Sequence, residues 1–278
     1  MLNNWLSQYA RNVTSQVGED GILEKIFEIL KIKKGWCVEF GAWDGKLYSN
    51  TYHLINHCGW SGVLIEGDKK RFVDLEKTYA ANPNVICLQR FVGFDPPNDL
   101  DSILSHTRCP VELNLISIDI DSFDYHVWES ISKYQAQVVL IEFNPTIPNH
   151  ISFVQARDTT VAQGNSLLAL IELGKRIGYE LIATTSHNAF FTKKELFPLF
   201  NISNNSIECM KARSPAELTV FQLYDGTLEF RGFKYLAWTG EKIKPRKLQV
   251  LPKYLRYYST NNILKKLCRK MWRTILRH

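Results

Sequence analysis

The chain has 278 residues, of which 45% are hydrophobic, 12% aromatic and 22% charged. This is the composition of a globular protein, and it excludes a disordered, collagen-like or low-complexity chain. No apolar run is long enough to cross a bilayer, and the N-terminus lacks the basic and then apolar pattern of a secretory signal, so we expect a cytoplasmic protein.

The net charge of +6 conceals two regions of opposite sign. From Arg231 to the end the chain carries 14 basic residues and 1 acidic residue, a net charge of +13, which leaves −7 for residues 1–230. A strongly basic end predicts an anionic partner such as a membrane surface, a nucleic acid or an acidic protein.

Strands and helices are predicted to alternate from about residue 20 to residue 195. Amphipathic patterns predict helices at Glu19–Leu30, Asn50–His57, Lys69–Ala81, Asp99–His106, Tyr125–Lys133 and Ser166–Gly178. Short apolar runs predict strands at Trp36–Phe40, Gly62–Ile65, Val85–Leu88, Leu113–Ile118, Val138–Ile141, Tyr179–Thr184 and Ala189–Lys193. Continuous apolar strands interleaved with helices indicate an α/β fold, with a mostly parallel sheet covered on both faces.

Two segments fall outside this alternation. The long stretch Asn144–Gly164 contains two prolines and is predicted to be a functional loop. Residues 218–239 predict a β-hairpin with Asp225-Gly226 as its turn. We therefore expect an entry segment and helix at 1–28, the main domain at 29–205, a hairpin extension at 206–250 and a basic amphipathic tail at 251–278.

The first strand and its turn carry a candidate binding motif. The segment Glu39-Phe40-Gly41-Ala42-Trp43-Asp44-Gly45 puts a carboxylate at the strand end and two glycines in the turn. The second strand ends in Glu66, where nucleoside-binding folds place a carboxylate for the ribose hydroxyls. The turn lacks the Gly-x-Gly-x-x-Gly spacing, which disfavours a dinucleotide-dependent oxidoreductase.

These motifs resemble those of a known family. The segment CVEFGAWDGKLYSNTYHLINHCGWSGVLIEGDKKRF resembles the opening of FkbM-type S-adenosylmethionine-dependent methyltransferases, and LISIDIDSFDYHVWESI and VVLIEFN resemble that family's fourth-strand and fifth-strand motifs. The resemblance covers roughly residues 15–200. Asp121-Ser122 stands where the family usually has Glu-Gly, and Gly67 where proline is frequent.

The resemblance implies a class I methyltransferase fold, a Rossmann-like seven-stranded sheet, with S-adenosylmethionine as cofactor. The cofactor contacts that it implies are Glu39, Gly41, Asp44 and Gly45 toward the methionine part, Glu66 toward the ribose, and Phe91 and Val92 toward the adenine. Ser15-Gln16 and Glu19-Asp20 resemble the family's entry segment, which closes over the cofactor. Acidic residues at a plain helix N-terminus are the alternative interpretation.

Polar residues follow the fourth and fifth strands. They are Asp119, Asp121, Asp124, Glu142 and Asn144. Because ligands of such sheets bind at the carboxyl ends of the strands, we expect a reaction centre here. One interpretation is a Mg²⁺ or other divalent cation held by Asp121 and Glu142. Another is acid–base catalysis without metal by Asp119, Asp121 or His126. In a third, Asp121 and Asp124 only cap the next helix.

The leading hypothesis is an O-methyltransferase acting on a hydroxyl of a sugar, glycan or glycolipid. The alternative from another class is a non-catalytic scaffold with the same fold, which binds an anionic partner through its basic tail. In the tail, Asn261–His278 is predicted to be an amphipathic helix with an apolar face and a basic face. That helix either binds an anionic membrane surface, which would place the enzyme at the inner membrane face, or packs on the body or a second subunit. The tail lacks a recognised nucleic-acid-binding module.

Overall fold

The computed structural model describes residues 4–212, 217–256 and 263–275 of the chain. It divides into two compact units, Met1–Arg213 and Ser214–His278. None of the helices in the described ranges combines the length and the apolar character that spanning a membrane would need.

The first unit consists of one sheet with helices between its strands. The strands are β1 (Trp36–Phe40), β2 (Ser61–Glu66), β3 (Val85–Gln89), β4 (Glu112–Ile118), β5 (Gln135–Glu142), β6 (Tyr179–Thr184) and β7 (Asn188–Lys193). The helices are α1 (Glu19–Ile29), α2 (Tyr52–Cys58), α3 (Lys69–Tyr79), α4 (Leu100–Leu104), α5 (Asp124–Ser130), α6 (Leu167–Arg176) and α7 (Ile207–Met210), with 3₁₀ turns at Trp5–Tyr9 and Phe197–Phe200.

The strand order is β3-β2-β1-β4-β5-β7-β6. Strands β1 to β5 pair in parallel, while β7 pairs antiparallel with both β5 and β6. Because a parallel sheet is covered by helices on both faces, its strands are largely apolar, and β1, β2, β4 and β5 are buried over most of their length. This confirms the predicted seven-stranded, mostly parallel sheet.

Several helices are shorter than their patterns predict. The fourth, for example, spans Leu100–Leu104 instead of Asp99–His106. The carboxylate of Asp99 accepts a hydrogen bond from Ser102 N at 2.9 Å. Asp99 is therefore the N-terminal cap of this helix, and the helix begins at the next residue. Loop 144–164 forms no helix or strand, as predicted.

The second unit contains the predicted hairpin, β8 (Leu218–Gln222) and β9 (Leu228–Gly232), whose turn includes Gly226 at φ +79°. Three helices follow, α8 (Pro245–Leu248), α9 (Lys253–Arg256) and α10 (Ile263–Ile275). The last of these lies within the segment predicted to be an amphipathic helix. The four-part division of the chain stays a prediction.

Candidate functional site

The site is built at the carboxyl edge of the parallel strands. The register pairs Phe40 of β1 with Ile65 of β2 and with Ile118 of β4, and Ile118 in turn with Ile141 of β5. The residues that follow these strand ends therefore converge, and they include most of the predicted site residues.

The turn after β1 is packed tightly against β4. Gly41 has φ +74°, and a Cβ atom there would lie 2.0 Å from the carbonyl oxygen of Asp119. Gly45 has φ +73°, and its Cβ would overlap Leu75 and Tyr79. Both positions need glycine because the protein itself occupies the space of a side chain, in addition to any contact with a ligand.

Glu39 lies beneath this turn and is almost fully buried. Its carboxylate accepts hydrogen bonds from Ser49 Oγ at 2.7 Å, from Thr51 Oγ1 at 2.6 Å and from the Asn50 backbone N–H at 2.7 Å. Burial raises the pKa of Glu39, and these hydrogen bonds oppose that shift. The observed contacts of Glu39 hold the start of α2 beside β1, and its predicted contact with a cofactor stays a prediction.

Glu66 ends β2 at the same edge and is buried. Its two oxygens each accept one backbone hydrogen bond, Oε2 from Trp43 N at 2.8 Å and Oε1 from Asp68 N at 2.7 Å. Since a carboxylate has about four acceptor positions, its orientation is fixed while acceptor capacity remains for two hydroxyl groups. Asp44, in the same turn, accepts from the backbone N–H groups of Lys46 and Leu47 and so shapes the loop.

Phe91 and Val92 follow β3 and differ in exposure. Val92 is buried, whereas 51% of Phe91 is exposed. The Phe91 ring lies 5.8 Å from the ring of Phe123, measured between centroids. An exposed aromatic face at this position suits the stacking of a planar ring.

Three carboxylates form a group at the ends of β4 and β5. Asp119, Asp121 and Glu142 each place an oxygen within 4.8 Å of the others. We call these three residues the acidic group. Burial raises the pKa of Glu142 to about 10, with a further contribution from the charges of Asp119, Asp121 and Asp124, and burial together with neighbouring carboxylates also raises the pKa of Asp119 strongly. At neutral pH the group therefore retains a proton or would attract a cation.

Asp121 is the exposed member of the acidic group, and its φ is +59°. A non-glycine residue in this left-handed region costs free energy, and such residues cluster at functional sites. In this conformation the Asp121 side chain lies next to Glu142 and is open to solvent.

Two further residues predicted for this cluster have other contacts. Asp124 accepts hydrogen bonds from the backbone N–H groups of Ile120 and Ser122, both at 2.9 Å, and burial raises its pKa to about 6. The side chain of Asn144 donates to the carbonyl of Gln163 and accepts from Thr146. Both therefore shape loops around the acidic group.

His126 is buried on α5, and its Nε2 donates to the carbonyl of Gln155 at 2.9 Å. Its ring packs edge-to-face on Phe94, and its Nδ1 lies 3.8 Å from the carboxylate of Glu129. These contacts tie α5 to loop 144–164, and none of them involves the acidic group. Its predicted role as a base stays a prediction.

His187 lies near the acidic group, within range of the charge of Asp121. It is in the turn between β6 and β7, and its carbonyl accepts a hydrogen bond from Phe143, the residue after β5. Burial lowers the pKa of His187, against the opposing effect of the Glu19 and Asp121 charges. The β6–β7 turn thus forms the side wall of the site.

The N-terminal segment crosses this edge of the sheet. The Asp20 carboxylate accepts hydrogen bonds from three consecutive backbone N–H groups, those of residues 13–15, at 2.7, 2.9 and 2.8 Å. At one end of the segment Thr14 donates to the carbonyl of Ser49, and at the other Gln16 Oε1 lies 3.1 Å from His187 Nε2. Glu19 accepts from Thr185 in the β6–β7 turn and from Asn188 at the start of β7.

These contacts place residues 13–20 across the carboxyl edge, from the start of α2 to the β6–β7 turn. We call residues 13–20 the entry segment. Glu19 and Asp20 act as anchors of this segment in addition to occupying the first turn of a helix. The sequence signal was the pair of acidic residues itself. The partners of Asp20 are near it in the chain, whereas Thr185 and Asn188, which donate to Glu19, are distant.

No protein-family model matches the chain, and no curated protein has a significantly similar sequence. Among solved structures, yhhF from Escherichia coli, described as a methyltransferase, is 14% identical with a TM-score of 0.38, and the match covers 62% of this chain and 83% of that one.

Two other solved structures are similar to a comparable degree. A SAM-dependent methyltransferase from Aquifex aeolicus is 10% identical, with a TM-score of 0.39 and coverage of 61% of this chain and 87% of that one. The N-terminal domain of EvdMO1, solved with SAH and D-fucose, is 11% identical, with a TM-score of 0.42 and coverage of 63% and 82%. All three are similarities of fold alone.

Proposed function

We propose that the chain is an S-adenosylmethionine-dependent O-methyltransferase of the FkbM type, acting on a hydroxyl of a sugar, glycan or glycolipid. The proposal rests on two sets of residues that lie side by side at the carboxyl edge of the sheet. Glu66, oriented by two backbone N–H groups, lies on one side of the β1 turn, and the acidic group lies on the other. The first suits a ribose, and the second suits an acceptor hydroxyl that must lose a proton.

The residues present fit the cofactor. Glu66 has acceptor positions left for two adjacent hydroxyl groups, and the exposed ring of Phe91 suits a flat base. The β1 turn passes between β4 and α3 without projecting a side chain at Gly41 or Gly45. S-adenosylmethionine would supply the methyl group, which moves from sulfur to the acceptor oxygen and leaves S-adenosylhomocysteine.

The acidic group would accept the proton of the acceptor hydroxyl. Asp121 is its exposed member, so an acceptor entering from solvent meets this carboxylate first. Asp119 and Glu142 lie within 4.8 Å of it and are half-buried, which leaves Asp121 as the carboxylate best placed to act as the base. The entry segment would exclude water from this reaction centre, because it lies across the same edge of the sheet.

A divalent cation is the second candidate for this role. Oxygens of three carboxylates within 4.8 Å of one another suit a hard cation, which would lower the pKa of a bound hydroxyl. Half-buried Asp119 and Glu142 with raised pKa values favour a proton in place of a cation at neutral pH. We therefore propose acid–base catalysis without metal, and the response to chelation distinguishes the two.

Cofactor binding is tested by titration calorimetry of the whole chain with S-adenosylhomocysteine and, separately, with NAD. We expect binding of the first and none of the second, because the β1 turn lacks the dinucleotide spacing. Glu66→Ala should weaken S-adenosylhomocysteine binding by about 1–3 kcal/mol, the usual effect of losing a hydrogen bond to a charged group.

Asp74→Ala is the matched control. Asp74 lies on the exposed side of α3 and pairs with Lys77 at 2.9 Å, so its loss should leave the affinity unchanged. Unchanged affinity in a folded Glu66→Ala protein would remove the cofactor assignment. Failure of the wild-type chain to bind S-adenosylhomocysteine would favour the scaffold alternative.

The acceptor is tested by mass spectrometry of the host's glycans and glycolipids with and without this gene. We expect the loss of a mass corresponding to one CH₂ unit from a defined glycan. Identical glycan profiles would contradict a glycan acceptor while leaving the cofactor result unaffected.

A further inference from the structure

Helix α10 of the second unit is held along one side. Trp272 Nε1 donates to the carbonyl of Val250 at 2.9 Å, and Arg269 Nε donates to the carbonyl of Leu255 at 2.7 Å. Both acceptors belong to the segment around α9, and both donors are half-buried. Two side chains, one aromatic and one basic, therefore fix the orientation of α10 on this segment.

The side of α10 away from these contacts is apolar and exposed. Ile263, Leu267 and Met271 are 73%, 53% and 66% exposed. Their spacing of four residues places them within about 80° of arc on the helix surface. We call these three residues the apolar stripe. A row of large, exposed apolar side chains along one side of a helix is typical of a surface that binds another apolar surface.

Positive charge borders the apolar stripe. Lys266 and Lys270 are exposed, and on the helical wheel they follow the stripe on one side. The second unit has 14 basic and 4 acidic residues from Ser214 to His278, a net charge of +10. A second copy of the chain would bring the same positive charge to the interface, which disfavours self-association through this helix.

We propose that α10 binds an anionic phospholipid surface, with the apolar stripe inserted among the acyl chains and the lysines at the headgroups. An exposed apolar stripe beside basic residues is the pattern of an interfacial helix, and anionic lipids supply both the apolar and the negatively charged surface that it needs. This inference does not depend on the proposed methyl transfer, since a chain without activity would bind lipid equally well.

The test is co-sedimentation of the full chain with vesicles of phosphatidylcholine alone and with phosphatidylglycerol added, at low salt. We expect binding to the anionic vesicles only. Lys266→Gln combined with Lys270→Gln should reduce binding about 30-fold, from the attraction of each basic residue to an anionic surface. Leu267→Gln combined with Met271→Gln should reduce it at least about tenfold while keeping good helix formers at both positions.

The matched control variants make the same two types of substitution on the first unit. Lys33→Gln combined with Lys34→Gln removes two exposed charges, and Val111→Gln combined with Leu199→Gln removes two exposed apolar side chains. Both control pairs should bind like the wild type. Equal binding to neutral and anionic vesicles, or no change in either α10 pair, would overturn the proposal. A dimer in analytical ultracentrifugation that the Leu267 and Met271 changes dissociate, without any effect on vesicle binding, would assign the apolar stripe to self-association instead.

Discussion

The acidic group and Asp101 are both partly shielded from water, but they differ in the hydrogen-bond donors around their carboxylates. Asp101 accepts four hydrogen bonds at the end of α5, from the backbone N–H groups of residues 132–134 and from the Ser132 hydroxyl, at 2.8 to 3.0 Å. Burial alone would raise its pKa, but these hydrogen bonds outweigh it and the pKa of Asp101 is lowered. The charge of Asp101 therefore stabilises the loop before β5.

The acidic group has no such compensation. Within the described ranges, no backbone N–H donates to the carboxylates of Asp119, Asp121 or Glu142, and burial raises the pKa values of Asp119 and Glu142. Carboxylates crowded together without donors destabilise the fold, and such groups are found where a ligand or a proton is handled. Structural carboxylates and the carboxylates of a candidate reaction centre belong to the same residue types. What distinguishes them here is whether hydrogen-bond donors surround the carboxylate.

The largest expected effect comes from a substitution in the acidic group, and it is an effect on turnover. Asp121→Asn should reduce methyl transfer about 100-fold or more, because the exposed carboxylate that accepts the proton is lost, while S-adenosylhomocysteine binding stays nearly intact. The measurement is release of S-adenosylhomocysteine with a glycan and glycolipid extract as acceptor.

Asp101→Asn is the control for this measurement and should retain turnover. Excess EDTA should leave the wild-type rate unchanged, whereas inactivation by EDTA would replace the base with a divalent cation. Full activity in Asp121→Asn, with EDTA present, would contradict both roles.

The second prediction concerns stability at Asp101. Asp101→Ala should lower the free energy of unfolding by about 2 kcal/mol at pH 7. This value is smaller than the summed contributions of its hydrogen bonds, because the site is partly exposed. A lowered folded pKa gives stability that is present above the unfolded value, 3.8, and is lost as the pH falls through the folded pKa.

Urea unfolding of the wild type and the variant checks this. The difference between them should shrink from pH 7 to pH 3. An equal difference at both pH values would mean that packing, and not the charge of Asp101, stabilises this loop.

The smallest expected effect has the opposite sign. Glu142→Gln should raise the free energy of unfolding at pH 7 by about 1 kcal/mol or less, because it removes a carboxylate from a crowded, poorly solvated group. A raised folded pKa means that wild-type stability falls as the pH rises from the unfolded value, 4.5, toward about 10.

The Glu142→Gln protein should therefore show a flatter dependence of stability on pH between 6 and 9, measured by urea unfolding in EDTA. A variant less stable than the wild type at both ends of this range would show that Glu142 has structural partners like those of Asp101.

Sequence patterns were sufficient for the sheet and for the edge at which the site lies. Buried strands contain continuous apolar runs, such as residues 138–141 in β5, and glycine turns mark where β1 ends, so the alternation of strand and helix is visible without a structure. Helix ends were less accurate, because the side chain that caps a helix, as Asp99 does, resembles a helical residue in the sequence.

The amino-acid sequence by itself determined the order of strands and helices and the arrival of Glu66, Asp119 and Glu142 at one edge, because these follow from local apolar patterns and from the geometry of parallel strands. Only the tertiary structure decided which side chains face one another there. Glu39 faces the start of α2, His126 faces loop 144–164, and the entry segment reaches His187, through partners 10 to 171 positions apart in the chain. Side-chain direction at such distances depends on how the elements pack, and spacing along the chain does not contain that information.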